Sequence, residues 1–195
     1  MKIIAITGGI GSGKSVVSQI LRRMGHEVYD CDSRAKALMN GSDEIKRDLR
    51  NAFGADVVGG DGAINSARLA QIVFADSDAL KKLNAIVHPR VKTDILQWSG
   101  SFAGKPFVFI ETAILEESNL SDIVAEVWHV YAPVEVRVKR VMLRNHATES
   151  EVKARIASQK EAAEPSADFI VNDGVTPVLP QIVSRLEADL EREKI

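Results

Sequence analysis

The chain opens on an unbroken apolar run, Ile3-Ile4-Ala5-Ile6, and then changes period. A short continuous run of this kind suits a strand buried on both faces, as in a parallel sheet. From Val16 onward the apolar residues fall at Val16, Val17, Ile20, Leu21 and Met24, the spacing of one helical face. Glu27-Val28-Tyr29 reads as a second, shorter strand that ends at Asp30-Cys31-Asp32, with a polar helix from about Ser33. Pro106 to Ile110, Glu126 to Tyr131 and Asp168 to Val171 read as further strands. Helices are expected from Pro133 to about Arg144, from the capping box Thr148-Glu149-Ser150-Glu151, and from Val178 to Glu193. The last of these should turn Ile182, Val183, Leu186 and Leu190 inward. Strands alternating with helices predict an α/β fold with a parallel sheet covered on both faces. In such a sheet ligands lie at the carboxyl ends of the strands.

Between Ser42 and Ser99 that rhythm stops, and no central strand can be read. Ser42 with Asp43 and Glu44 has the form of a helix cap and acidic first turn, leading to an apolar face of Ile45, Leu49, Ala52 and Phe53. Gly54 stops that helix, and Gly59-Gly60-Asp61-Gly62 is a turn cluster. Leu69, Ile72, Val73 and Phe74, and then Leu80, Leu83, Ile86 and Val87, supply two more apolar faces. The stretch reads as a helical insertion between two sheet strands. The expected organisation is a single domain: a core of residues 1–33, 105–135 and 165–195, an insertion of 34–104, and a lid of 136–164.

Composition narrows the class. A chain of 195 residues can bury a proper core, and 45% hydrophobic with 27% charged residues is ordinary for a soluble domain. A formal net charge of -2 argues against a general nucleic-acid binder. Cys31 is the only cysteine, so no internal disulfide can form, which suits a reducing cytosol. No apolar run approaches the roughly 18 residues of a membrane span, and Met1 leads straight into the first strand without a leader. A cytoplasmic protein is expected.

The chemistry begins between the first strand and helix. Gly8-Gly9-Ile10-Gly11-Ser12-Gly13-Lys14-Ser15 has the phosphate-binding form G-x-x-x-x-G-K-S, in the strand-to-helix setting that the pattern requires. Lys14 can reach the β- and γ-phosphates of a nucleotide, and the Ser15 hydroxyl can ligate Mg²⁺. The chain has neither an N-K-x-D guanine reader nor a D-x-x-G switch, which argues against a GTPase, and only Glu111 offers a carboxylate for a motor ATPase. A small-molecule kinase needs an acceptor carboxylate and mobile arginines. Asp30 and Asp32, spaced i and i+2 at a strand end, would point the same way, toward the γ-phosphate; the plainer reading makes Asp32 a helix cap. Arg137, Arg140 and Arg144 share a helical face, and Lys153, Arg155 and Lys160 extend the basic bias, either as a solvated face or as a lid. His26, His129 and His146 read as surface or packing residues, Trp98 and Trp128 as packing residues, and Cys31 as no metal ligand.

Taken together, these motifs resemble the dephospho-CoA kinase family. The resemblance rests on T-G-G-I-G-S-G-K-S at Thr7–Ser15, D-x-D at Asp30–Asp32, and L-N-x-x-x-H-P at Leu83–Pro89. It continues in K-R-x-x-x-R at Lys139–Arg144, R-I-x-x-Q at Arg155–Gln159 and N-x-G at Asn172–Gly174. It implies the three-layer P-loop NTPase fold with strand order 2-3-1-4-5, a helical acceptor-binding insertion and a helical lid. It also implies ATP- and Mg²⁺-dependent phosphorylation of the ribose 3′-hydroxyl of dephospho-CoA, the last step of coenzyme A synthesis. By that likeness Lys14, Asp32, Arg140 and Arg144 serve catalysis, and Asp32 and His88 meet the acceptor. Gly9, Gly11, Ser12, Gly13, Lys14, Ser15 and Val16 hold the nucleotide phosphates, with Asn172 near the adenine and Ser15 on the metal. His88, before Pro89 at an expected helix junction, is either that contact or a structural cap. Val16 stands where the family usually has Thr, Lys36 where it often has Arg or His, and Ala113-Ile114-Leu115-Glu116-Glu117 where it has P-L-L-x-E, so Glu116 and Glu117 compete for one role. The readings that compete with this are a kinase for a nucleoside monophosphate or sugar acid, and a nucleotide-binding switch without catalysis.

Overall fold

A computed structural model describes residues 1–159 and 169–192 of the chain. The expectations for Lys160, Asp168 and Glu193 lie outside the described residues. The parallel strands β1 (Lys2–Thr7), β2 (Val28–Asp30), β3 (Phe107–Glu111), β4 (Glu126–Tyr131) and β5 (Phe169–Val171) form one sheet in the order β2-β3-β1-β4-β5. The expected order is therefore the observed one. β1 lies between β3 and β4, with Lys2 opposite Phe107 and Ile4 opposite Glu126. That central place explains the apolar run at its start. Ile4, Ala5 and Ile6 have no solvent exposure, because both faces of the strand are covered and both edges are paired.

The chain divides into two compact units. The first comprises Met1–Tyr29, Phe102–Glu116 and the chain from Ser121. It holds the sheet with α1 (Lys14–Arg23), α6 (Val134–Asn145), α7 (Glu149–Ala157) and α8 (Val178–Arg192). Ile4, Ile6, Val17, Leu21, Phe107, Phe109, Trp128, Val130, Ile170, Ile182 and Leu186 form its core. Val138, Val141, Val152 and Ile156 make a smaller cluster between α6 and α7, and Ile10 is packed against it. The inward face of α8 departs from expectation: Leu190 is 40% exposed, whereas Asp189 is 2% exposed. At a period of 3.6, the line through Ile182 and Leu186 reaches position 189 next, and Leu190 rotates away from it.

The second unit comprises Asp30–Ser101 with Glu117–Leu120. It is helical, as the break in strand rhythm implied: α2 (Cys31–Gly41), α3 (Asp43–Phe53), α4 (Ser66–Ala75) and α5 (Ser77–Gly100). Its own core is Ile45, Leu49, Val57, Val58, Leu69, Val73 and Ala79. Ion pairs brace the helices on α5: Arg34 meets Asp94 at 2.7 Å, and Arg90 meets Asp48 at 2.7 Å and Glu44 at 2.9 Å. His88-Pro89 is not a junction, since α5 runs through it for 24 residues. A proline inside a helix costs about 3 kcal/mol, but Val87, Val91 and Ile95 on the same face are buried and hold the two halves in line. Among the described residues no helix is long and apolar enough to cross a membrane.

Candidate active site

β1 ends at Thr7, and the glycine loop turns the chain into α1 at Lys14. The turn demands its glycines. Gly13 has φ +97°, and a Cβ there would land on the side-chain amide of Asn172. A Cβ on Gly9 would land on the Arg137 guanidinium. Gly13 is also the N-cap of α1, so no side chain caps that helix. The N–H groups of a first helical turn have no partner within the helix, and the helix dipole adds positive potential to them. The Lys14 ammonium curls back over the loop to the carbonyls of Gly8 (2.8 Å) and Gly9 (3.4 Å). A cation above an uncapped helix start is a phosphate-binding arrangement. Ser15 and Val16 are exposed on the first turn, whereas Ser12 is buried with its hydroxyl unpaired.

Side chains from later elements hold the loop from behind. Arg137, 5% exposed, donates from Nε to the carbonyl of Ile10 at 2.9 Å. Gln159 Oε1 accepts from the Ile10 N–H at 2.7 Å. Arg140 donates to the carbonyls of Gly11 and Ser12 at 3.4 Å and of Asn172 at 3.0 Å, and also to the Asn172 side chain at 3.2 Å. Asn172 Nδ2 donates to the Ser12 carbonyl at 2.9 Å. Arg137, Arg140 and Asn172 thus converge on the glycine loop. Arg144 is exposed and donates to the neighbouring Asn145 side chain at 3.0 Å. The helical spacing grouped the three arginines, but the roles of Arg137 and Gln159 as loop anchors were missed. The R-I-x-x-Q motif was the available signal for Gln159, and for Arg137 there was only its helical spacing with Arg140 and Arg144.

In the second unit the structure corrects the carboxylate geometry. β2 ends at Asp30, and Cys31 and Asp32 are already helical, so the i, i+2 alternation of a strand does not apply to the pair. Asp30, not Asp32, is the cap: it accepts from the Ser33 N–H at 3.1 Å and the Ser33 hydroxyl at 2.7 Å. Asp32 stands exposed in the first turn of α2. His88 is half-buried in α5, and burial pushes its imidazole below the ordinary histidine value. A hydrogen bond to the backbone of Glu117, and the charge of Glu117, partly offset that shift. Glu117 is thereby tied to His88, a contact that sets it apart from Glu116.

The family model for dephospho-CoA kinase (CoaE) matches residues 2–177. The chain belongs to the dephospho-CoA kinase family. A Bacteroides fragilis dephospho-CoA kinase is 41% identical over 183 residues, covering 92% of this chain and 89% of that protein. A Porphyromonas gingivalis dephospho-CoA kinase is 39% identical over 191 residues, covering 96% and 94%. A crystal structure of a Thermus thermophilus protein superimposes with a TM-score of 0.78 at 33% identity, over 98% of this chain and 97% of that one. A dephospho-CoA kinase from Campylobacter jejuni, 22% identical, has the same fold with a TM-score of 0.64. The dephospho-CoA kinase match runs from β1 to the loop before α8, so it takes in the glycine loop, Asp32, His88 and Asn172 alike.

Proposed function

We propose that this chain transfers the γ-phosphoryl group of ATP to the ribose 3′-hydroxyl of dephospho-CoA, giving coenzyme A and ADP. The observation that carries the reading is the intact glycine loop at an uncapped helix start, inside a chain matched to the family over residues 2–177. Catalysis in such an enzyme is chiefly positioning and charge neutralisation. The loop N–H groups and Lys14 hold the β- and γ-phosphates. Gly9, Gly11, Ser12, Gly13, Ser15 and Val16 shape that grip, and Asn172 steadies its floor. Asp32 receives or orients the proton of the acceptor hydroxyl, and His88 contacts the acceptor within a helical acceptor-binding segment.

The lid reading, with Arg140 and Arg144 meeting the transferring phosphoryl, divides between the two arginines. Arg140 is engaged with the carbonyls of the loop, so its charge acts from beneath the phosphates. Arg144, at the exposed end of α6, is the residue suited to close from above.

The donor set suits Mg²⁺. Among the described residues no three His, Cys, Asp or Glu side chains gather into a cage. Ser15 offers one exposed hard oxygen, and Mg²⁺ ordinarily takes few protein ligands, keeping waters and substrate phosphates. Mg²⁺ would neutralise charge on the β- and γ-phosphate oxygens. A cytoplasmic location goes with this biosynthetic role and is checked by cell fractionation.

The test is ADP release from ATP and Mg²⁺ with a panel of acceptors: dephospho-CoA, adenosine, nucleoside monophosphates, gluconate and shikimate. Dephospho-CoA should be preferred by at least about a hundredfold in kcat/KM, as befits a site that hydrogen-bonds its acceptor. Equal rates across the panel, or ATP binding without transfer to any acceptor, would overturn the assignment.

A further inference from the structure

The R-I-x-x-Q motif ends at Gln159, and nothing in the proposed chemistry uses it. In the structure its side chain lies at the second residue after the helical stretch of α7, and it reaches Ile10 at the tip of the glycine loop. Ile10 is held three ways. Its N–H donates to Gln159 Oε1 at 2.7 Å, and its carbonyl accepts from Arg137 Nε at 2.9 Å. Its side chain packs on the cluster of Val138, Val141, Val152 and Ile156. Arg137 Nη2 also donates to Gln159 Oε1 at 3.4 Å, so the two side chains that grip the Ile10 backbone are bonded to each other. All three holds come from α6, α7 and the residues that directly follow α7.

From this we infer that Gln159 is a positioning residue for ATP: it locks the tip of the glycine loop to the α6–α7 hairpin, so that the setting of α7 governs the grip on the phosphates. A glycine-rich loop is conformationally permissive, and its amides make an anion cradle only while the peptide planes are held. Gln159 supplies that hold at the residue between Gly9 and Gly11. It touches no reacting atom and acts through Ile10. The inference rests on the reading of the loop as an ATP site, not on the identity of the acceptor.

The experiment uses the full chain without acceptor. Gln159→Met keeps the length of the side chain and removes the acceptor atom, and Gln159→Glu keeps the acceptor beside the Arg137 guanidinium. Gln159 is only half-buried, so both variants should fold. Two readouts are amide exchange at Ile10 by NMR in the nucleotide-free protein, and ATP affinity by calorimetry. In Gln159→Met, Ile10 exchange should quicken by about tenfold and ATP should bind about tenfold more weakly, the loss of one structural hydrogen bond. Amides of β1 and β3 should exchange as before, and Gln159→Glu should restore the protection of Ile10. Unchanged Ile10 exchange and ATP affinity in Gln159→Met would overturn the inference. So would faster exchange across the whole sheet, or Ile10 equally unprotected in Gln159→Glu, since either assigns the loss to packing. A protein that binds ATP and obeys the Gln159 pattern but ignores dephospho-CoA would refute the acceptor assignment alone.

Discussion

Two helices begin at the carboxyl ends of two parallel strands, and they begin in opposite ways. α1 follows β1 through a glycine N-cap, so its N-cap residue makes no side-chain cap bond, and sets Lys14 above its first turn. α2 follows β2 directly, and Asp30 satisfies its first turn from within. The first start is left open to an anion. The second is closed, which leaves Asp32, two residues along, exposed and unneeded for the cap. A carboxylate needed for folding is a poor choice for chemistry. Here Asp30 does the structural task, and Asp32 is left exposed for the acceptor role proposed for it.

Four substitutions test that contrast. The largest effect should follow Lys14→Met, which removes the cation from the open start: kcat/KM for ADP release should fall by about 10³-fold. A fall below tenfold would deny the loop its catalytic part. Next, Asp32→Asn should lower kcat by about 10²-fold or more while calorimetric ATP affinity and melting temperature hold. Gly13→Ala puts a side chain into a left-handed position already occupied by Asn172. It should cost about 1–3 kcal/mol of stability in urea unfolding and weaken ATP binding at least about tenfold. Asp30→Ala removes the cap, with a loss of about 1 kcal/mol from the cap and a smaller change in kcat than Asp32→Asn gives. If Asp30→Ala proved the more damaging to turnover, the division of labour between the two carboxylates would be reversed.

The smallest effect concerns pH. Burial lowers the pKa of His26, His88 and His129 below the ordinary value of 6.5. A histidine whose folded pKa is depressed binds its proton better when unfolded. Stability therefore holds above 6.5 and declines as pH falls below it toward the folded values. The melting temperature should drop modestly between pH 7 and pH 5.5, with a shallower slope in His26→Gln. A melting temperature that rises over that interval would contradict the sign.

The strands were legible because β1 and β3 are buried on both faces, so the apolar runs Ile3–Ile6 and Phe107–Ile110 have no competing explanation. The glycine loop was legible because its pattern is local. Less visible was whatever depends on phase or on distance along the chain. Leu190 looked inward until the helical period carried Asp189 to the core instead. His88-Pro89 looked like a break until burial along α5 outweighed the proline. Asp30 and Asp32 looked like a strand pair until β2 proved to end at Asp30, two residues short of Asp32. Gln159 and Ile10 lie 149 residues apart in sequence, and no spacing rule reaches across that interval.

The central place of β1 has a consequence for synthesis. Its neighbours are β3 and β4, so once made β1 can find no partner until Phe107 and then Glu126 have emerged. The helical unit has its own core between Ile45 and Ala79, all of it made before β3. Because domains fold as units during synthesis and non-local pairing is slow, the helices should settle first while the glycine loop, made before them, waits and is among the last to take shape. A nascent chain arrested once Gly100 has cleared the ribosome, but before Phe107 has emerged, should therefore resist proteolysis in the helical unit and be cut freely before Val28.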